Sequence, residues 1–385
     1  MPGKVGILCT MINGFGRRGY YNSQEIGLGR ALARMGAEVW IYKGVRRHEP
    51  AGLERLSEGV TIEYIPMRGM GAHGYLDCSR LDRGLCGLFC FGDQQIFLPH
   101  VYRFCRKNGI VFVPYVGTAH SLHANFKSRV MNTLFALGTL RIYQKHPAVA
   151  KTEAAKRELE ALGAERVTVA PVGLDTAVLK KDFRDCDRME LRKKHGFSET
   201  DVVICNVSRL SPEKRPLELL DLFSSVRGKK PFKLIIVGDG ALRDRLRETI
   251  AERGLEEEIT VYPSVPYEEM WEIYVMSDYY VNLNKGEIFG MAVMEAVYYE
   301  TSVAAIAAAG PSVTLRGMKG HRLCETDEEA AKWLTAPYPP AEELRDSAAE
   351  LEAAFTWERC ARVFLGIVGE QKGEFSNEKG MAETS

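Results

Sequence analysis

The sequence predicts an α/β protein built from two Rossmann-like, doubly wound parallel-sheet domains that face a cleft. Three observations carry that expectation. Short apolar runs alternate with amphipathic stretches of ten or more residues, the signature of parallel strands joined by crossover helices. The alternation occurs in two successive series, each large enough for a doubly wound domain. The chain has 385 residues, 45% hydrophobic and 26% charged, which suits an ordinary globular protein of about two or three domains.

The first series opens with a buried strand over residues 5–11, a glycine-rich loop and a helix over 24–35. Strands follow at 38–42, 61–65, 111–116, 148–151 and 167–170. The second series places strands at 202–207, 233–237, 259–262, 279–283 and 302–306, with helices at 216–226, 241–252 and 267–276 between them. The polar segment KKDFRDCDRMELRKKHGFSET, residues 180–200, marks the expected boundary. Domains are therefore expected at 1–180 and 181–354. A C-terminal helix at 355–370 would pack back on the first domain, and a flexible polar tail would follow at 371–385.

Composition excludes several classes. A formal net charge of zero supplies no global attraction to nucleic acid or anionic membrane. Nine scattered cysteines, an odd number, point to reduced thiols in a cytoplasmic protein rather than a disulfide framework. Cys78, Cys86 and Cys90 lack the paired short spacings of a zinc site. The N-terminus enters a strand without the apolar core of a signal peptide, and no apolar run approaches the ~20 residues of a membrane span.

Candidate chemistry collects at the strand ends. Gly14, Gly16 and Gly19 spell GxGxxG after the first strand, but Tyr20, Tyr21, Asn22 and Ser23 intervene before the helix. The second strand also lacks an acid placed for a ribose, so the spacing fits a ligand-facing loop or a plain turn better than a nicotinamide site. In NVSRLSPEK, Ser211 and Pro212 predict a helix start with Lys214 in its first turn. A cation there opposes the helix dipole, which a bound anion or a solvated surface would each explain. In NKGEIFGMAVMEAVYYE, residues 284–300, Glu287 and Glu295 interrupt an apolar run. Burial of carboxylates is costly without partners. The strand end and the amides of Phe289, Gly290 and Met291 at the next helix start fit a ligand carrying both a diphosphate and sugar hydroxyls. The plain alternative is that Glu287 complements the helix dipole and Glu295 pairs with an arginine.

Taken in order, NVSRLSPEK, LIIVGDGALRDRL, EIFGMAVMEA, APVGLDTAVL and VGTAHSLH resemble the retaining glycosyltransferases of the GT-B fold, family 4 (glycosyl transferases group 1), across nearly the whole chain. The resemblance implies that Arg209 and Lys214 hold the donor diphosphate and stabilise the leaving group. It implies that Glu295 accepts hydrogen bonds from ribose and that Glu287 contacts the transferred sugar. The Phe289, Gly290 and Met291 amides would lie against sugar and phosphate, Gly14 and Gly16 would approach the diphosphate, and His120 would face the reacting sugar. Val265 falls where the backbone faces the nucleobase. No cofactor and no divalent metal are implied. The spacing of His120 and His123 as HxxH comes without an acidic partner. Departures also occur: YYETSVAAIA lacks the family's small residue, glycine and proline after the second glutamate, and Gly310 stands alone where a glycine pair is common.

The acceptor is expected on the first domain, with Tyr20, Tyr21 and Asn22 as contacts, and as a glycan, a glycolipid or a small glycoside. The basic and apolar segment 126–146 reads either as a surface resting peripherally on a membrane, suited to a lipid-linked acceptor, or as a core helix with solvated ends. Other readings of the chain are a sugar phosphorylase, a nucleotide-sugar epimerase or a silent binding protein of the same fold. A nucleic-acid partner is not expected.

Overall fold

The structure is a computed structural model, and it describes residues 3–12, 23–70, 72–119 and 126–382, less the side chains of 126–128 and 374–382. The chain divides into two units, 1–173 with 355–385, and 174–354.

In the first unit the elements are β1 (Lys4–Cys9), α1 (Gln24–Arg34), β2 (Glu38–Arg46), β3 (Gly52–Ser57), β4 (Val60–Met70), β5 (His73–Tyr75), β6 (Gly87–Phe91), α2 (Leu98–Lys107), β7 (Val111–Val116), α3 (Phe126–Leu137), α4 (Thr139–Lys145), β8 (Ala148–Ala150), α5 (Glu153–Ala161) and β9 (Val167–Val169). The sheet runs β3-β4-β2-β1-β6-β7-β8-β9, with β5 paired to β4. Only β3 and β5 are antiparallel to their neighbour. β1 lies between β2 and β6, so its apolar run is covered on both sides, and Ile7 and Leu8 are fully buried. Pro114 sits in β7 opposite Cys90 of β6, one residue before β8 joins at Tyr115, a position where a missing amide donor is tolerated. Sequence reasoning missed β3, β5 and the central β6.

In the second unit the elements are α6 (Arg188–Lys194), β10 (Val202–Val207), α7 (Pro216–Val226), β11 (Phe232–Val237), α8 (Arg243–Glu252), β12 (Ile259–Tyr262), α9 (Met270–Met276), β13 (Tyr279–Asn282), α10 (Met291–Tyr298), β14 (Ser302–Ile306), α11 (Pro311–Thr314), β15 (Arg322–Cys324), α12 (Asp327–Thr335) and α13 (Ala341–Ala354). The six-stranded sheet is wholly parallel in the order β12-β11-β10-β13-β14-β15. The order reverses at β10 and β13, which makes the carboxyl ends of those two strands the switch point where ligands bind in such sheets. Ile204, Leu234, Val281 and Ala304 form the centre of its core.

The last helix, α14 (Trp357–Ala382), belongs to the first unit, where it packs on α1 and β7. Trp357 is 1% exposed, and the Phe364 ring packs tilted on Phe89 with centroids 4.5 Å apart. Two boundaries differ from the sequence expectation. The unit boundary falls at 173/174 rather than 180/181, and helical backbone continues to Ala382 where a tail was expected from 371. The nine cysteines are free thiols.

Candidate active site

The site grows from the carboxyl ends of β10 and β13. After β10 the chain continues as Ser208, Arg209 and Leu210, strapped to the turn after β11 by Ser208 N to Val237 O at 3.0 Å and Leu210 N to Asp239 O at 2.9 Å. A Cβ at Gly238 would lie 1.8 Å from Ser208 O, and one at Gly240 would lie 2.4 Å from Leu210 O. The VGDG turn therefore has glycines where its backbone presses on the segment carrying Arg209.

The helix expected from Ser211–Pro212 is not there. Residues Pro212–Lys214 form one 3-10 turn, and α7 starts at Pro216. Between them Arg215 takes a left-handed conformation, φ 56° and ψ 47°. That conformation is unfavourable for a residue with a Cβ, and the Arg215 side chain offsets it. Its guanidinium meets Asp327 with two bonds, of 2.9 and 2.7 Å, and reaches Leu283 O at 3.1 Å. This clamp ties the residue after Lys214 to the end of β13. Lys214 thus sits in a tight turn rather than in a helix's first turn, and the expected conflict with the α7 dipole does not arise.

Glu287 comes from the loop after β13. Lys214 Nζ donates to Glu287 Oε2 at 2.7 Å, Asn284 Nδ2 donates to the same oxygen at 3.0 Å and Asn282 Nδ2 at 3.4 Å. The side chains of Lys214 and Glu287 are 18% and 13% exposed. Burial alone would raise the Glu287 pKa, but the Lys214 charge and the three hydrogen bonds outweigh it and hold the carboxyl below its usual range. Glu287 is consequently an ionised acceptor rather than a proton donor. Arg209 is half exposed and leans on Glu213 at 3.4 Å.

Gly290, at φ 86°, turns the chain into α10, and no side chain caps that helix. Val293 N and Met294 N bond to Gly290 O, and the amides of Met291 and Ala292 before them have no intrahelical acceptor by geometry. Phe289, 2% exposed, anchors the turn, and Gly310 donates its amide to Glu287 O at 3.0 Å. A Cβ at Gly310 would lie 2.1 Å from Phe289 O. The single glycine of that loop is therefore set where backbone crosses backbone.

Glu295 lies one turn into α10 and is 3% exposed. Its Oε2 accepts a 2.8 Å hydrogen bond from the Tyr274 hydroxyl on α9. The Tyr274 ring stacks on Tyr299 at 5.7 Å. Glu295, Tyr274, Tyr267, Trp271 and Lys180 line a cavity of about 200 Å³. Val265, half buried, precedes Tyr267 in the loop leading to this cavity.

The structure thus brings together Lys214 and Glu287, and separately Glu295 and the cavity. Asn282, Asn284, Arg215 and Tyr274 were missed as functional residues. The two asparagines were visible as an unusual polar strand end, whereas Tyr274 reads as core and nothing in the sequence links it to Glu295. Gly14, Gly16, Gly19, Tyr20, Tyr21, Asn22, His120 and His123 lie outside the described residues. Among the described residues, no group of three or more His, Cys, Asp or Glu is arranged to hold a metal ion.

Residues 187–345 match the family described as glycosyl transferases group 1. The D-inositol 3-phosphate glycosyltransferase of Jonesia denitrificans is 24% identical over 94% of this chain and 95% of its own. Among solved structures, sucrose-phosphate synthase from Thermosynechococcus elongatus superposes with a TM-score of 0.72 at 16% identity, over 98% of this chain and 99% of that one. Anabaena Alr3699/HepE, in complex with UDP and glucose, gives a TM-score of 0.67 at 15% identity over 97% and 99% of the two chains. The chain has the GT-B fold of these solved glycosyltransferases. The switch point of its second sheet carries the charged groups that the motifs mark, with Lys214 and Glu287 in contact.

Proposed function

We propose that the protein is a retaining, metal-independent glycosyltransferase of family 4. It transfers a hexosyl group from a nucleoside diphosphate sugar to a hydroxyl acceptor in cell-surface glycan synthesis, on the cytoplasmic side. The observation that carries this reading is the Lys214–Glu287 pair at the joined ends of β10 and β13. One cation and one ionised acceptor in contact match the two halves of such a donor, its diphosphate and its sugar hydroxyls.

In this reading Lys214 uses one of its three donor hydrogens on Glu287 and offers the others to the diphosphate. Arg209 adds a second cation, and the first-turn amides of α10 add donors without a metal. Glu287 accepts from the transferred sugar, and Glu295 takes the ribose hydroxyls beside the loop of Val265. The resemblance assigns His120, Gly14 and Gly16 to the reacting sugar and diphosphate, and Tyr20, Tyr21 and Asn22 are the residues proposed for the acceptor. The bond from the anomeric carbon to the phosphate oxygen breaks, and the bond to the acceptor oxygen forms on the same face. The acceptor's proton passes to the departing phosphate oxygen. Charge developing on that oxygen is what Lys214 and Arg209 stabilise more strongly in the transition state than in the ground state.

The relative named for D-inositol 3-phosphate supports a hydroxylated small-molecule acceptor. The test is a panel of UDP-, GDP- and ADP-sugars, read by thermal shift and by slow release of the nucleoside diphosphate. Stabilisation by one donor with its hydrolysis supports transfer. Phosphate-dependent cleavage of a disaccharide would identify a phosphorylase, and binding of no nucleotide sugar would identify a silent protein.

A further inference from the structure

Between Asp93 and Glu153 the sequence contains no acidic residue and eight lysines and arginines, within a chain whose net charge is zero. The structure gathers this stretch into α2, α3 and α4, with α4 packed on both of the others. Arg103, Arg106, Lys107, Arg129, Arg141 and Lys145 are exposed, and among the described residues none of the six has an ion-pair partner. Their field reaches His146, whose protonation is disfavoured first by burial and then by Arg106, Arg166 and Lys145.

On α3 the exposed positions include Val130 at 42%, Leu134 at 42% and Leu137 at 59%. The spacings of four and three place them on one helical stripe. Met131 and Phe135, on the other side of α3, are buried at 6% and 2%. The helix therefore has two apolar faces, one in the core and one in solvent.

We propose that α2, α3 and α4 form a docking surface for an anionic lipid bilayer, with Val130, Leu134 and Leu137 entering the headgroup region and the exposed cations of these helices meeting lipid phosphates. The occupant follows from the combination. A polyanion in water would use the cations but not three exposed aliphatic side chains, whereas an anionic bilayer uses both. Among the described residues no helix is long and apolar enough to cross a membrane, so the contact is interfacial.

Flotation of the full chain with vesicles tests the proposal. Vesicles of phosphatidylcholine with a third phosphatidylglycerol should carry the protein upward at low salt, and pure phosphatidylcholine vesicles should not. Raising the salt should release it. The double variants Leu134→Ser with Leu137→Ser, and Arg129→Glu with Arg141→Glu, should each weaken binding on the order of tenfold, with donor hydrolysis unchanged. The salt profile of the wild-type chain stands independently of how the variants fold. Absence of binding to the anionic vesicles, binding as tight as wild type by both variants, or displacement by RNA at concentrations that leave the lipid intact would each overturn the proposal.

Discussion

Lys214 and Glu287, 73 residues apart in sequence, meet at 2.7 Å where the carboxyl ends of two adjacent parallel strands converge. Each is oriented by something else. Arg215, in a left-handed turn, fixes the residue after Lys214 to Leu283 and Asp327. Asn282 and Asn284 hold Glu287 from its own strand. The contact is thus the meeting of two supported groups rather than a lone surface ion pair.

Replacing Lys214 removes the cation nearest the leaving group. Lys214→Ala should lower kcat by roughly 10²- to 10³-fold, the scale of losing one transition-state charge stabiliser. It also leaves Glu287 half-supported, at a cost of about 1–2 kcal/mol, because both asparagines remain. A thermal melt and single-turnover assay separate the two effects. Turnover within threefold of wild type would remove Lys214 from the chemistry.

Tyr274 occupies one oxygen of Glu295 and so fixes how the carboxylate faces the cavity. Tyr274→Phe keeps the ring against Tyr299 but deletes the hydroxyl. Donor KM should rise about 3- to 10-fold with kcat within twofold, and stability should fall about 1–2 kcal/mol. A change in kcat alone would show that Glu295 acts on the chemical step rather than on donor binding.

The strand series was legible because nearly every strand of the parallel sheets is a short apolar run. The central β6, GLFCF, escaped because a glycine and a cysteine dilute a five-residue run. β3 carries mostly exposed side chains and so shows no buried pattern. Within the site, Arg209, Lys214, Glu287 and Glu295 stood out by residue type, but their partners depended on topology. The misplaced helix start is instructive. Ser211 and Pro212 do begin a turn, yet Arg215 breaks it after three residues because its guanidinium has fixed partners just after β13 and on α12. No local propensity encodes those partners.

His321 is buried, accepts from Val303 N through Nδ1 at 3.1 Å, and its pKa is pushed down to about 4 by desolvation. In the unfolded chain it would titrate near ~6.5. The folded pKa is depressed, so the native state binds fewer protons between those values, and stability falls as pH drops from about 6.5 to about 4. The loss is on the order of 3 kcal/mol and levels off below that window. Glu287 adds a second loss lower down, as pH falls past the ordinary carboxylate range, because its carboxyl is also held low. Denaturant melts from pH 7 to 4 should show the first slope, and His321→Asn should flatten it. An unchanged slope in that variant would assign the effect elsewhere.

Gly310 is the residue on which the loop after β14 and the turn before α10 depend together. Its amide bonds to Glu287 O at 3.0 Å, and a Cβ there would come 2.1 Å from Phe289 O, a backbone atom that cannot swing aside. Gly310→Ala must therefore move the Glu287–Gly290 turn or its own loop. Overpacking of this kind costs about 1–3 kcal/mol, and part of that cost should appear as displacement of Glu287 and of the α10 amides. The expected result is a moderate loss of thermal stability with a larger loss of kcat/KM for the donor, on the order of tenfold or more. Ser312→Ala, two residues on in α11, gives the control. Gly310→Ala with wild-type kcat/KM would mean that the loop relaxes outward and that Glu287 does not depend on it.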